Sequence, residues 1–174
     1  MSTVASPQFS DAIVVMGVAS CGKTTVGEAL AQFLDVAFIE GDKLHGEANV
    51  AKMSKGIPLT DEDRWPWLLR VGEALQAPGG KIASCSALKR GYRDAIIKAA
   101  KRPVFFVLLH GSAEVLQQRI AARKGHFMPA SLLDSQLATL EMPGTDERAI
   151  TIDIAQKPER ILEQALKFLT QGRV

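Results

Sequence analysis

A glycine-bracketed lysine follows the first apolar run of the chain and constrains the fold more than any other feature. The run AIVVM precedes GVASCGKTT (17–25), which leads into the helical pattern VGEALAQFL. Gly17, Gly22, Lys23 and Thr24 match the spacing G-x-x-x-x-G-K-[ST], in which glycines let backbone N–H groups converge on phosphate oxygens. The following helix directs its N-terminal dipole to the same place. The sequence therefore predicts a strand, a phosphate-binding loop and a helix.

This loop predicts a site for ATP and Mg²⁺, because Lys23 reaches terminal phosphates and the Thr24 hydroxyl reaches the metal in such loops. The alternative is a glycine-rich turn without a ligand. Cys21 lies near a helix N-terminus, where a thiol can become reactive, but we interpret it as a small residue whose backbone N–H matters. The loop residues that we expect to contact ATP are Gly17, Val18, Ala19, Ser20, Cys21, Gly22, Lys23, Thr24 and Thr25.

Apolar runs alternate with helical patterns along the chain, which predicts an α/β fold with a five-stranded parallel sheet covered by helices on both faces. The predicted strands are 12–16, 37–40, 81–86, 103–110 and 149–154, and the predicted helices are 23–35, 61–77, 89–100, 112–123 and 157–170. Two connections are unusually long, and such connections often bind ligands or close over them. We expect a mobile tail (1–11) and one domain (12–174), with a helical substrate-binding segment (41–80) and a lid (124–148).

Composition excludes several classes of protein. The net charge of +2 over 174 residues argues against nucleic-acid binding and against attachment to a membrane surface. The longest strongly apolar stretch, VFFVLL, is far shorter than the roughly 20 residues that span a bilayer. Two cysteines give neither a disulfide framework nor a metal cluster, and the first residues resemble no signal peptide, so we expect a cytoplasmic protein.

An acidic segment follows the second predicted strand. Ligands gather at the carboxyl ends of parallel strands, so Glu40 and Asp42 are predicted to lie beside the phosphate loop. One carboxylate can hold the Mg²⁺ shell through water, and the other can orient and deprotonate an attacking hydroxyl. His45 falls on the same helical face as Asp42 and can hydrogen-bond a polyol. The alternatives are that Asp42 caps the following helix and that His45 is a surface residue.

Several segments together resemble the gluconokinase family of small P-loop kinases, which are similar in fold to shikimate and nucleoside-monophosphate kinases. The segments are GVASCGKTTVGEAL, GDKLH, NVAKMSKGIPLTDEDRWPWL, CSALKRGYRD, ARKGHFM and SQLATLEMPG, spread over about residues 12–170. The resemblance implies that ATP phosphorylates D-gluconate to 6-phospho-D-gluconate, with Asp42 as the catalytic base. From the same resemblance we expect a homodimer. Related kinases more often have Asp-x-Asp where this chain has Glu40 and Asp42.

The segment TDEDRWPWL holds a candidate anion-binding residue. We expect Thr60 to cap a helix and Arg64 to grip the substrate carboxylate through two parallel hydrogen bonds. The alternative for Arg64 is an ion pair with a neighbouring aspartate. The two tryptophans, Trp65 and Trp67, are interpreted as packing residues rather than sugar-stacking residues.

The segment CSALKRGYR follows the third predicted strand. Lys89 and Arg93 lie four residues apart and are predicted to share a helical face that suits an anionic substrate. A solvated basic face is the alternative. The strand ends in IASC without the aspartate that many P-loop proteins carry there, so metal ligation must come from Glu40, Asp42 and water.

The segment QRIAARKGHF resembles the lid of this kinase class. Arg119 and Arg123 are predicted to bind ATP, with Arg123 neutralising charge on the transferring phosphoryl group. A basic helix end that complements the helix dipole is the alternative. His126 is a predicted substrate ligand, and Gly125 and Met128–Pro129 are predicted hinge points. Gln136 and Glu141 match the family pattern without an assigned role.

Two other functions remain open from the sequence. One is a different small-molecule kinase on the same scaffold, such as a shikimate kinase. The other is a nucleotide-binding module without turnover, although the sequence has no N-K-x-D motif for base recognition.

Overall fold

Five parallel strands form the centre of the molecule in the computed structural model, which describes residues 8–123 and 130–171. The strands are β1 (Ala12–Met16), β2 (Ala37–Glu40), β3 (Lys81–Ser84), β4 (Val104–His110) and β5 (Ala149–Asp153), in the spatial order β2-β3-β1-β4-β5. Every residue of β1 is buried. Because successive side chains point to opposite faces, helices must cover the sheet on both sides. The predicted fold class is confirmed.

Seven α-helices alternate with the strands or lie in the two long connections. They are α1 (Lys23–Leu34), α2 (Glu47–Ser54), α3 (Asp61–Ala74), α4 (Arg90–Ala100), α5 (Ala113–Ala122), α6 (Ala130–Thr139) and α7 (Pro158–Gln171), within the described residues. A 3₁₀-helix (Gly41–Leu44) follows β2 directly. The predicted helices are present with small shifts at their ends, and the long connections contain the 3₁₀-helix, α2 and α6.

The sheet register brings three strand ends together. Val15 of β1 and Glu40 of β2 both pair with Ser84 at the end of β3. Gly17, the first residue of the phosphate loop, donates its N–H to the Ser86 carbonyl oxygen at 3.3 Å. The loop after β1 and the acidic segment after β2 therefore lie at the same edge, with the end of β3 between them.

The start of α3 is fixed by its own side chains. Thr60 Oγ1 accepts from the Asp63 N–H at 3.1 Å, and Asp63 Oδ2 accepts from the Thr60 N–H at 2.9 Å, which is a capping box. The helix then packs on α4 through Gly72, where a Cβ would lie only 2.5 Å from Cβ of Ala99. The two helices are thereby held close together beside the sheet.

The part of the predicted tail that the structure describes is attached to the domain. Phe9 is buried in the core, and the Ser10 carbonyl oxygen accepts from Arg102 Nη2. The Asp11 carbonyl oxygen accepts from the Lys81 N–H at 3.0 Å. The domain thus includes residues 9–11, and a tail beginning before them remains a prediction. Among the described helices, none is long and apolar enough to cross a membrane.

Candidate active site

The phosphate loop has the backbone shape that its glycines permit. Gly17 has φ of 143° and Gly22 has φ of 101°, values that other residues rarely adopt. A Cβ on Gly17 would lie 2.6 Å from the Leu109 carbonyl oxygen and 2.7 Å from Cys21 Sγ. The Cys21 side chain is 1% exposed and fills the space beside Gly17. This packing fits the interpretation of Cys21 as a small residue of the loop.

The side chains of Lys23 and Thr24, the first residues of α1, contact different segments. Lys23 Nζ donates to the carbonyl oxygens of Gly17 at 3.1 Å and Val18 at 2.9 Å, so the ammonium group lies inside the curve of the loop. Thr24 Oγ1 donates to Glu40 Oε2 at 2.6 Å. The motif side chains therefore reach both the loop and the acidic segment.

Glu40 is oriented by two hydroxyl groups. Its Oε2 accepts from Thr24, and its Oε1 accepts from Ser84 Oγ at 2.5 Å. A hydroxyl and a carboxylate in contact are hard oxygen donors of the kind that Mg²⁺ prefers, and Mg²⁺ commonly takes few protein ligands beside water and phosphate. The residues present fit a magnesium site formed mainly by Thr24, water and the nucleotide. Glu40 would contribute through water and through its hydrogen bond from Thr24.

Asp42 lies in the 3₁₀-helix, which is anchored through Gly41. The Gly41 N–H donates to Ser84 Oγ at 3.1 Å, and its carbonyl oxygen accepts from Trp67 Nε1 at 2.8 Å. A Cβ on Gly41 would lie 1.9 Å from the Ser84 carbonyl oxygen, so only glycine fits there. These contacts hold Asp42 beside the loop.

The Asp42 carboxylate caps no helix and accepts no hydrogen bond from the residues that the structure describes. Desolvation by the surrounding protein raises the pKa of Asp42, whereas the charge of Lys23 lowers it and the charge of Glu40 raises it further. The side chain is nevertheless open to the cavity that it lines. An unpaired carboxylate with a raised pKa is suited to accept a proton from a bound hydroxyl.

His45 lies against Trp67 rather than on the open surface. The two rings stack with centroids 4.0 Å apart and planes 17° apart. Burial, together with Arg64 and Arg70, lowers the pKa of His45 to about 4, so the ring is neutral at pH 7. Nδ1 lies 3.2 Å from Nδ2 of Asn49, a residue that the sequence reasoning did not single out.

Arg64 makes no ion pair with its neighbouring aspartates. Its Nη1 donates to the Leu59 carbonyl oxygen at 2.5 Å and to the Tyr92 hydroxyl at 3.3 Å. Its guanidinium lies 5.5 Å from the Tyr92 ring centroid. Asp61 instead accepts hydrogen bonds from Lys89 Nζ and from the Tyr92 hydroxyl group. The alternative interpretation of Arg64 as half of a surface ion pair therefore does not describe this structure.

Lys89 and Arg93 do not form the basic substrate face that their spacing predicted. Lys89 is the N-cap of α4 and pairs with Asp61 at 3.2 Å. Arg93 is 0% exposed, and its Nε and Nη2 donate to the two carboxylate oxygens of Glu147 at 2.6 Å and 3.1 Å. Neither residue lines the cavity, so the structure does not bring them to the site.

Arg119 of α5 and Arg123, the residue that follows α5, contact the phosphate loop. Arg119 donates to the Cys21 carbonyl oxygen at 3.2 Å and to the Ile154 carbonyl oxygen at 2.9 Å. Arg123 Nη1 donates to Ser20 Oγ at 3.3 Å. Gly125, His126 and Met128–Pro129, with the roles predicted for them, lie outside the described residues.

Gln136 on α6 also reaches the phosphate loop, a contact that the sequence did not reveal. Its Oε1 accepts from the Ala19 N–H at 2.7 Å, although 117 residues separate them. Glu141 has a structural contact, since its Oε2 accepts from the Arg90 N–H at 2.9 Å in the first turn of α4. The only sequence signal for either residue was the family pattern.

One cavity of about 400 Å³ unites most of the predicted site residues. The predicted residues with assigned side-chain roles that line it are Lys23, Thr24, Asp42, His45, Arg64 and Arg123. Gln136 and the apolar side chains of Met53 and Ile57 also line it. The cavity thus joins the phosphate loop on one side to a carboxylate and a guanidinium on the other.

The fold and this cavity define a P-loop small-molecule kinase. A family model described as an AAA domain matches residues 13–143. The gluconokinase of Gluconobacter oxydans (strain 621H) is 48% identical over 165 residues, which cover 92% of this chain and 90% of that protein. The chain belongs to the gluconokinase family.

Two further comparisons agree. The thermosensitive gluconokinase of Escherichia coli (strain K12) is 41% identical over 172 residues, covering 94% of this chain and 91% of that protein. The crystal structure of a gluconokinase from Sinorhizobium meliloti 1021 superposes with a TM-score of 0.89 at 50% identity, covering 95% of this chain and 94% of that one. Both the sequence and the fold of the family therefore extend over nearly the whole chain.

Proposed function

We propose that this protein transfers the γ-phosphoryl group of ATP to D-gluconate, giving ADP and 6-phospho-D-gluconate. The observation that supports this most strongly is that one cavity holds both the phosphate-loop Lys23 and the Asp42 carboxylate, which accepts no hydrogen bond within residues 8–123 and 130–171. The chain also covers nearly the full length of relatives that are named gluconokinases.

The donor half of the proposed site is the phosphate loop with Arg119 of α5 and Arg123, the residue that follows α5. Lys23 would bind the terminal phosphates, while Arg119 holds the loop and Arg123 approaches it from the lid side. Thr24 and, through water, Glu40 would hold Mg²⁺, which neutralises charge on the phosphates when bound. Fixed cations aimed at the γ-phosphate stabilise the charge that develops in transfer.

The acceptor half is the 3₁₀-helix with the start of α3. Asp42 would accept the proton of the 6-hydroxyl group as the oxygen attacks the γ-phosphorus and the bond to ADP breaks. Its raised pKa favours this proton transfer. Arg64 would bind the gluconate carboxylate, with the bond to the Leu59 carbonyl oxygen holding the guanidinium in place. His45 would hydrogen-bond a hydroxyl group.

Two residues that the sequence predicted to bind substrate are not part of the proposed site. Arg93 is enclosed with Glu147, and Lys89 is engaged by Asp61, so we assign both a structural function. We further propose a cytoplasmic location, in keeping with the free thiols of Cys21 and Cys85, and a homodimeric assembly.

A substrate screen tests the proposed reaction. The protein is incubated with ATP, Mg²⁺ and a panel containing D-gluconate, related sugar acids and shikimate, and phosphorylated products are detected by mass. We expect D-gluconate to give the largest kcat/KM. A larger value for shikimate or another acid would overturn the substrate assignment, whereas no product from any acceptor would overturn the assignment as a kinase.

A further inference from the structure

The buried side chain of Asn49 connects His45 to the backbone of α3. Asn49 is 7% exposed and is the only asparagine in the chain. Its Nδ2 lies 2.8 Å from the Asp63 carbonyl oxygen and 3.2 Å from Nδ1 of His45. Two groups thus share one amide nitrogen, and this arrangement determines where the histidine carries its hydrogen.

The Asp63 carbonyl oxygen decides how the Asn49 amide is oriented. A backbone carbonyl oxygen only accepts hydrogen bonds, so the amide nitrogen rather than the amide oxygen must face it. The second hydrogen of that nitrogen then points to His45. Nδ1 of His45 must therefore accept, and a neutral ring that accepts at Nδ1 carries its hydrogen on Nε2.

The rest of the ring is also held in place. Trp67 stacks on His45 and is itself fixed by the hydrogen bond from its Nε1 to the Gly41 carbonyl oxygen. Burial of the ring, and then the charges of Arg64 and Arg70, disfavour a second proton on it. A protonated Nδ1 would also oppose the Asn49 amide, since both groups would be donors.

Nε2 of His45 is the remaining polar atom of the ring. It has no hydrogen-bond partner among residues 8–123 and 130–171, and no buried polar side-chain atom in those ranges lacks one. Nε2 is therefore accessible, on a residue that lines the cavity. The Asp42 carboxylate lines the same cavity. His45 therefore offers a hydrogen-bond donor to a ligand there, and Asp42 offers an acceptor.

We propose that Asn49 is a positioning residue that fixes His45 as the Nε2–H tautomer, so that His45 presents a hydrogen-bond donor to an oxygen atom of the phosphoryl acceptor. The identity of that acceptor as a polyhydroxy acid rests on the proposed function. The tautomer itself does not, because it follows from contacts within the protein.

Nitrogen-15 NMR of the ring nitrogens tests the tautomer directly in the unmodified protein. The chain has three histidines, and the signal that disappears in His45→Gln identifies His45. At pH 7 we expect a hydrogen on Nε2 and none on Nδ1. A hydrogen on Nδ1, alone or with one on Nε2, would overturn the proposal whether or not gluconate is the substrate.

The substitution Asn49→Asp is expected to reverse the hydrogen-bonding direction between residue 49 and Nδ1 of His45. An aspartate at this position accepts rather than donates, so Nδ1 of His45 is expected to gain a hydrogen. Ala48→Asp is the control, since it adds the same charge at an exposed neighbouring position of α2 and should leave Nδ1 unprotonated. An unchanged Nδ1 in a folded Asn49→Asp protein would show that Asn49 does not set the tautomer.

A double-mutant cycle tests the link to substrate binding. Asn49→Leu is expected to raise the KM for gluconate about tenfold with little change in the KM for ATP, because the donor is no longer fixed. In a His45→Gln background, where the glutamine amide supplies its own donor, Asn49→Leu should add less than about a twofold change. Equal losses in both backgrounds would assign Asn49 a purely structural role and refute positioning.

Discussion

Arg93→Met should destabilise the protein strongly while sparing the substrate site. The guanidinium of Arg93 is fully buried and donates through Nε at 2.6 Å and Nη2 at 3.1 Å to Glu147. Its Nη1 donates to the carbonyl oxygens of Ala87 at 3.1 Å and Leu88 at 3.4 Å. Methionine fills part of the volume but replaces none of these donors.

The magnitude follows from what remains after the substitution. The Glu147 side chain is 8% exposed and, among the residues that the structure describes, would keep only its bond from the Gly144 N–H at 2.8 Å. Removing one partner of a buried ion pair costs about 3–5 kcal/mol, because the other charge stays buried without compensation. In a protein of this size 1 kcal/mol shifts the melting temperature by roughly 2–4 °C, so we expect a decrease of about 10 °C.

Urea and thermal unfolding measure this loss, and Arg90→Met is the matched control. Arg90 pairs with Asp146 on the surface, where the side chains are 49% and 64% exposed, so its loss should cost about 0–1 kcal/mol. Arg93→Lys keeps the charge without the two-pronged contact. It should give an intermediate loss and remain measurable if Arg93→Met does not fold.

The pH dependence of the effect has a defined sign. Hydrogen bonds from Arg93 hold the pKa of Glu147 below its usual range. The stability that this carboxylate contributes is therefore present above its unfolded pKa and lost as the pH falls through its folded pKa. The difference between wild type and Arg93→Met should shrink in acid. An Arg93→Met protein of wild-type stability with a raised gluconate KM would refute the reasoning and return Arg93 to the substrate site.

Three further substitutions test other parts of the account. Asp42→Asn should lose most turnover and keep ATP affinity. Because the pKa of Asp42 is raised in the folded protein, its charged form opposes folding, and the variant should also melt higher at pH 7. This difference in melting temperature should shrink as the pH falls through the folded pKa and vanish below the unfolded pKa. Lys23→Ala should lose turnover and ATP affinity, as measured by coupled ADP release and by calorimetry. Gly41→Ala should lower the melting temperature, because its Cβ would lie 1.9 Å from the Ser84 carbonyl oxygen; an unchanged Gly41→Ala protein would contradict the tight packing at this strand end.

Local sequence patterns were sufficient to predict the five strands and the phosphate loop. The apolar run of β1 and the glycine spacing after it predicted the loop, because both are determined within about ten residues of chain. Thr60 was likewise predicted as a helix cap, and the capping box with Asp63 is local. Glu40 and Asp42 were placed beside the loop by the rule that parallel strand ends share an edge.

Contacts across long sequence separations could not be predicted in this way. The spacing of Lys89 and Arg93 indicates a shared helical face, but not whether that face turns toward the cavity or the core. The partner that buries Arg93 is Glu147, 54 residues further along the chain. Gln136 accepts a hydrogen bond from the Ala19 N–H although 117 residues separate them. This contact depends on how α6 packs against the phosphate loop. The hydrogen bond from Asn49 to the Asp63 carbonyl oxygen likewise depends on how α3 packs against α2.

Coupled ADP release at saturating ATP and Mg²⁺, with and without D-gluconate, tests the central claim most directly. We expect gluconate to raise ADP release by orders of magnitude in the wild type and to have little effect in Asp42→Asn. If ATP binds tightly but neither gluconate nor any other polyol raises ADP release, the protein is a nucleotide-binding module and the proposed reaction is wrong.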